Sequence, residues 1–170
     1  MNYEVIMNKL ILLLLLSFTL QAAEKKPVRV YVDVVGDLFH AGHVAFFKQA
    51  RTYGDYLIVG IHGDEAVTEY KRRPILSLEE RKTIIEACRY VDEVIVNAPI
   101  GITEEWMKKY NIDLVLHGDD YKEDRIDEQY SVPNKMGKFK TVPYTKGIST
   151  TEIIERIQGR LIEVMREQWK

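Results

Sequence analysis

From Val28 onward, short β-branched runs alternate with stretches whose apolar residues recur at helical spacing. Five runs read as strands: Val28–Val34, Asp55–Ile61, Val91–Val96, Ile112–Leu116 and Phe139–Val142. The second is almost continuously apolar, as a strand buried on both faces should be. Between the strands, Val44–Tyr53 reads as a helix closed by Gly54. Ser77 and Glu80 form a capping-box pair that opens a helix running to Cys88. Thr103–Tyr110 is a short helix. A second capping-box pair, Ser149 and Glu152, opens the last one. Ile153, Ile154, Ile157, Leu161, Ile162 and Met165 give that helix an apolar stripe, expected to be buried. Regular alternation of strand and helix predicts an α/β fold, a parallel five-stranded sheet with helices on both faces. Residues 121–138 are polar and mixed in charge and read as a surface excursion.

The first 27 residues follow a different pattern. Asn8 and Lys9 precede an apolar run, Leu10–Leu20, then Gln21-Ala22-Ala23 and the charged Glu24-Lys25-Lys26. A short basic start, an apolar stretch and small residues at its end resemble a secretory signal. The run is shorter than the roughly 20 residues that span a bilayer comfortably. A short uncleaved anchor and a start placed too early are the competing readings. The chain therefore divides into a signal-like or anchor segment, 1–27, and a folded domain, 28–170. Membrane association is expected to run through residues 10–23, with the domain facing the cytosol.

Composition narrows the function classes. At 170 residues the chain is long enough for one compact α/β domain. Its net charge of -2 argues against a nucleic-acid partner, which calls for a basic face or stripe. The single cysteine, Cys88, excludes an intramolecular disulfide and any cysteine metal cluster. With no histidine near it in sequence, it reads as a small core residue on a helix.

In parallel sheets, ligands bind beyond the carboxyl ends of the strands, where strand order reverses. After the first strand comes Gly36-Asp37-Leu38-Phe39-His40-Ala41-Gly42-His43, leading into a helix. Two histidines three apart sit where backbone N–H groups and the helix dipole favour an anion. Each imidazole adds a donor for phosphate oxygens, and Gly42 allows close approach to the backbone.

His40-Ala41-Gly42-His43 resembles the HxGH signature of the nucleotidyltransferases that include the cytidylyltransferases. Four more stretches follow in family order. Lys71-Arg72-Arg73 with Glu80-Arg81 resembles the lysine-bearing loop and its ER pair. Arg89-Tyr90-Val91-Asp92-Glu93-Val94 is similar to the cytidylyltransferase run RYVDEV. His117-Gly118-Asp119-Asp120 resembles its GDD stretch, and Gly147-Ile148-Ser149-Thr150-Thr151 its GIST element. The resemblance covers about 130 residues, Val28 to Ile157, and the second-strand and RYVDEV stretches look nearest to the ethanolamine-phosphate enzymes.

The resemblance implies a Rossmann-like nucleotidyltransferase fold and transfer of CMP from CTP to a phosphorylated alcohol, phosphoethanolamine first, with release of pyrophosphate. The substrate phosphate already carries the nucleophilic oxygen, so positioning and electrostatic stabilisation supply the rate. His40, His43 and Lys71 take the catalytic roles. Asp37, Asp120, Ser149 and Thr150 would hold the nucleotide, and Arg89 would lie near the substrate pocket. Mg²⁺ would arrive with CTP, and no dedicated protein metal site is expected. A homodimer is compatible with the pattern. Two departures stand out. The family's glycine and aromatic before HxGH are Val34 and Gly36 here, and the arginine before GIST is Tyr144. Lys146, Arg72 and Arg73 are the cations available to compensate. Glycerol-3-phosphate as acceptor, adenylyl transfer, and a non-catalytic nucleotide-binding module remain the alternatives.

Overall fold

The computed structural model describes residues 3–4, 6–9, 25–120 and 123–168. The apolar run 10–20, read above as a signal or anchor, lies outside them. Among the described residues no helix is long and apolar enough to cross a membrane.

The described residues form five strands: β1 (Arg29–Val34), β2 (Tyr56–Ile61), β3 (Glu93–Val96), β4 (Leu114–Gly118) and β5 (Phe139–Val142). They form one sheet in the order β3-β2-β1-β4-β5, with every pairing parallel. Strand order reverses between β1 and β4, so the loops after these two strands diverge and leave a crevice. The helices are α1 (Ala41–Ala50), α2 (Asp64–Thr68), α3 (Leu78–Glu86), α4 (Glu104–Lys109), α5 (Glu123–Gln129), α6 (Ser131–Lys135) and α7 (Thr150–Gln168).

Alternation along β1 builds two cores. Val30 and Val32 point to one face, where Phe47 and Ala50 of α1 and Ile85 of α3 cover them. Tyr31 points to the other, among Ile58, Ile95, Met107 of α4 and Tyr130. Helices on both faces are thus required by strands that are apolar on both sides.

Four sequence expectations need correction. Helix α1 begins at Ala41, three residues before Val44, because His40 caps it. The supposed surface excursion contains α5 and α6, and Tyr130 between them is 1% exposed. Its phenol anchors that segment to Asp33 near the carboxyl end of β1, the central strand, an anchor that its polar neighbours concealed. Cys88 is half-buried, just beyond α3 rather than on it. Finally, α7 has no buried residue, and Ile157 and Leu161 are each 59% exposed. Periodicity identified which side of α7 is apolar and could not say what covers it.

Candidate active site

A cavity of 510 Å³ opens at the carboxyl ends of β1, β2 and β4. The chain has four histidines, and His40, His43, His62 and His117 all line it.

The first two are held by an unusual cap. His40 is the N-cap of α1, and its Nδ1 accepts from the Gly42 N–H at 3.1 Å. His43 returns the favour: its Nδ1 accepts from the His40 N–H at 3.3 Å. This is a capping box made from imidazoles, in the place usually taken by Ser or Thr with Glu. Because both Nδ1 atoms accept, the neutral rings must carry their protons on Nε2. The rings stack with centroids 3.9 Å apart, and Phe39 lies flat on His43 at 5.4 Å. Burial, with His40 beside it, pushes the His43 imidazole down to about 3, against the pull of Asp37. Burial also lowers His40, with Glu152 opposing. Both rings therefore favour the neutral form, with the proton on Nε2. Gly42 serves this packing: a Cβ there would lie 2.9 Å from the His40 ring and 3.2 Å from the Ile148 carbonyl. Gly42 itself belongs to the cavity lining.

The start of α7 closes the same cavity. Ser149 Oγ accepts from the Glu152 N–H at 3.1 Å, so it caps the helix. Thr150 Oγ1 donates to the Asp37 carbonyl at 2.8 Å, tying α7 to the loop after β1. Thr150 has committed its hydroxyl proton to that carbonyl, Ser149 keeps its own, and both stand at a helix N-terminus, where the dipole favours an anion. Asp37 is 3% exposed, and its carboxylate accepts from Ile75 N–H, Leu76 N–H and Arg72 Nη1 at 3.0–3.1 Å. Burial works to raise its pKa, but the Leu76 and Ile75 N–H groups and Arg72 hold it below the usual range. Asp37 thus fixes the basic loop above the cavity.

Lys71 lies at the mouth of the cavity, exposed. The cavity walls lower its pKa by desolvation, Asp120 opposes this, and Arg125 and Arg72 reinforce it. Asp120 lines the cavity beside it. Tyr144, in the place of the family's arginine, also lines the cavity, and its N–H donates to Asp119 Oδ1 at 2.8 Å. Of the three cations that could compensate, Arg72 is in the lining and Lys146 and Arg73 are not. Val34 lines it too.

Seven of the eight residues singled out from the sequence are brought together here. Arg89 is not: it is exposed on the turn that leads into β3, at the amino end of the sheet. The cavity lies beyond the carboxyl ends, so the RYVDEV run carries its arginine away from this chain's pocket.

An aspartate and two histidines of the cavity lining had no role assigned from the sequence. Asp33, 3% exposed, accepts from Tyr130 Oη at 2.6 Å through Oδ1, while its Oδ2 is buried without a partner. His62 is 7% exposed, with Nδ1 3.1 Å from the Ala98 carbonyl. His117 sits at the end of β4, its Nδ1 2.9 Å from the Gly118 carbonyl. A signal was present for the first: a carboxylate interrupting a strand apolar on both faces is costly unless it has work there. Beneath the site, the fully buried Arg81 donates to the Val35 and His62 carbonyls and pairs with Asp64. It locks the ends of β1 and β2 together.

The geometry has clear relatives. Residues 36–156 match the family model described as cytidylyltransferase-like. Ethanolamine-phosphate cytidylyltransferase of Arabidopsis thaliana is 42% identical over 151 residues, covering 85% of this chain and 35% of that protein. The Dictyostelium discoideum protein of the same name is 44% identical over 134 residues, 75% of this chain and 37% of its own. Choline-phosphate cytidylyltransferase A of Homo sapiens is 40% identical over 136 residues, covering 78% and 37%. The chain thus spans little more than a third of the length of these relatives. Among solved structures, the lipopolysaccharide core biosynthesis protein from Thermoplasma volcanium is similar, at TM-score 0.59 and 27% identity, over 72% of this chain and 99% of that one. With that family model matched across residues that line the cavity, from Gly36 to Thr151, the chain belongs to the cytidylyltransferase-like family.

Proposed function

We propose that this chain transfers CMP from CTP to phosphoethanolamine, releasing pyrophosphate. The acceptor's phosphate oxygen attacks the α-phosphorus of CTP, the bond to the β-phosphate oxygen breaks, and that oxygen leaves with pyrophosphate. No protein nucleophile is needed. Nε2–H donors on His40 and His43 stabilise charge as it develops on the α-phosphate, in a geometry fixed before substrate arrives. The α7 N-terminus holds the outer phosphates, and Lys71 and Arg72 neutralise the departing pyrophosphate. Mg²⁺ enters as part of the CTP substrate, with phosphate oxygens as ligands.

One observation carries the choice of acceptor. Asp33 Oδ2 is buried and unpartnered in a residue that lines the cavity, and Tyr130 engages only its other oxygen. A buried carboxylate oxygen left unsatisfied calls for a donor or a cation from the ligand. The ammonium of phosphoethanolamine supplies both, whereas glycerol-3-phosphate supplies only neutral hydroxyls. Two of the relatives described above are named for the same acceptor, and the third for phosphocholine.

Pyrophosphate release, measured with CTP and ATP against phosphoethanolamine, phosphocholine and glycerol-3-phosphate, tests the reading. CTP with phosphoethanolamine should rank first. Glycerol-3-phosphate ranking first would transfer the assignment to that acceptor, and nucleotide binding without turnover would make the chain a binding module. Two further elements of the reading are membrane attachment through residues 10–23 and self-association, the latter supported by the exposed stripe of α7. Vesicle flotation and light scattering test them.

A further inference from the structure

Asp33 does not stand alone on the cavity floor. His62 follows β2, and its N–H donates to the Val34 carbonyl at 3.1 Å, extending the β1–β2 pairing one step beyond Ile61. Side chains alternate along a strand, so Ile58, Gly60 and His62 share one face of β2, as Tyr31 and Asp33 share that face of β1. Ile58 and Tyr31 belong to the same core cluster, which fixes the face. Asp33 is in register with Gly60, so His62 lies two residues farther along the neighbouring strand. Gly60 makes room on that face for the Tyr31 phenol: a Cβ there would stand 2.1 Å from the Tyr31 hydroxyl, which is itself buried without a partner.

The ring of His62 is oriented by its partner. A carbonyl can only accept, so the contact from Nδ1 to the Ala98 oxygen requires the proton on Nδ1. In the neutral imidazole, Nε2 then presents a lone pair. This is the reverse of His40 and His43, whose Nδ1 atoms accept from backbone and whose Nε2 atoms donate. The cavity lining therefore holds imidazoles of both tautomers: Nε2–H at the helix N-terminus, and an Nε2 lone pair on His62, two residues past the register partner of Asp33.

We infer that His62 is a specificity-determining residue for the acceptor headgroup: its Nε2 accepts one N–H of a primary ammonium while Asp33 Oδ2 accepts another. The inference rests on the phosphoethanolamine reading above. A trimethylammonium group has no N–H, so it gains nothing from His62. Each N-methylation of the substrate removes one donor, and discrimination should grow along that series.

The test uses the full chain and its His62→Asn and His62→Gln variants, with CTP and phosphoethanolamine, its mono- and dimethyl derivatives, and phosphocholine. Asparagine can still donate to the Ala98 carbonyl but has no atom where Nε2 stood. Glutamine returns an acceptor oxygen to that position. His62→Asn should raise the KM for phosphoethanolamine by about tenfold, the scale of one hydrogen bond to a charged group. The KM values for phosphocholine and CTP should stay put, so the preference for the primary amine collapses, and His62→Gln should recover part of it. If a folded His62→Asn variant keeps the wild-type preference, or loses both acceptors equally, the specificity role is overturned and His62 is structural. A wild-type chain that turns over none of the four acceptors overturns the parent reading instead, before any variant is made.

Discussion

Helices α1 and α7 both aim their N-termini into the cavity, yet they are held there in opposite ways. Past its cap, α1 lies on the sheet: Phe47 and Ala50 are fully buried, in contact with Val30 and Val32 across the first core. Its cap lines the cavity, and its body is core. Helix α7 is fastened at its first turn, by Ser149 and the Thr150 tie to Asp37, and then runs 19 residues without one buried side chain. Position at the site thus depends on caps and ties at the first turn. Stability depends on what the rest of the helix covers, and the two are separable.

Substitutions along the two helices should break that separation if it is wrong. The largest effect is expected in the body of α1, where Phe47→Ala should cost about 3–5 kcal/mol of stability, read by urea unfolding. Next come the caps. His40→Ala and His43→Ala should each reduce turnover on the order of 100- to 1000-fold with the fold retained, as loss of a preorganised donor does. Near-normal pyrophosphate release by both folded variants would remove them from the mechanism.

A pH experiment sharpens the same contrast. His43 has its pKa depressed to about 3 in the folded chain, against an ordinary 6.5 when unfolded. The unfolded state therefore takes up a proton first on acidification. The stabilising contribution is complete above about pH 6.5 and is lost progressively as pH falls toward 3. Between pH 6.5 and 5 this amounts to about 2 kcal/mol. Denaturation midpoints measured across that window should flatten in His43→Gln; equal slopes in variant and wild type would contradict the buried neutral ring. The smallest effect belongs to α7. Leu161→Gln and Met165→Gln should change the stability of the isolated chain by no more than about 0.5 kcal/mol, because these side chains are already in water. A large loss would mean that the stripe is covered in solution.

Much of this was legible from residue order alone, and the reasons differ element by element. Strands β1 and β2 were readable because strands buried on both faces are nearly continuous apolar runs, and the Ser77–Glu80 box formed as its spacing demanded. His40 and His43 were readable because they abut a strand–turn–helix junction. The segment with α5 and α6 was not, since its structure depends on one tyrosine reaching a distant carboxylate, Tyr130 to Asp33 across 97 residues. Asp33 and His62 escaped notice for the same reason: each stands inside or just past a strand, and their convergence is a product of register. Arg89 was misplaced because a motif says nothing about which end of the sheet it occupies.

The gathering of all four histidines around one cavity has a consequence for observation. In proton or nitrogen spectra of the side chains, no imidazole elsewhere in the chain competes for attention, so each imidazole signal is a report from the pocket wall. The spectrum divides by tautomer, with His40 and His43 carrying the proton on Nε2 and His62 on Nδ1. A titration with nucleotide and one with the phosphorylated acceptor should perturb different members of the set. The chain thus carries its own unlabelled sensor, able to say which half of the pocket a ligand has entered.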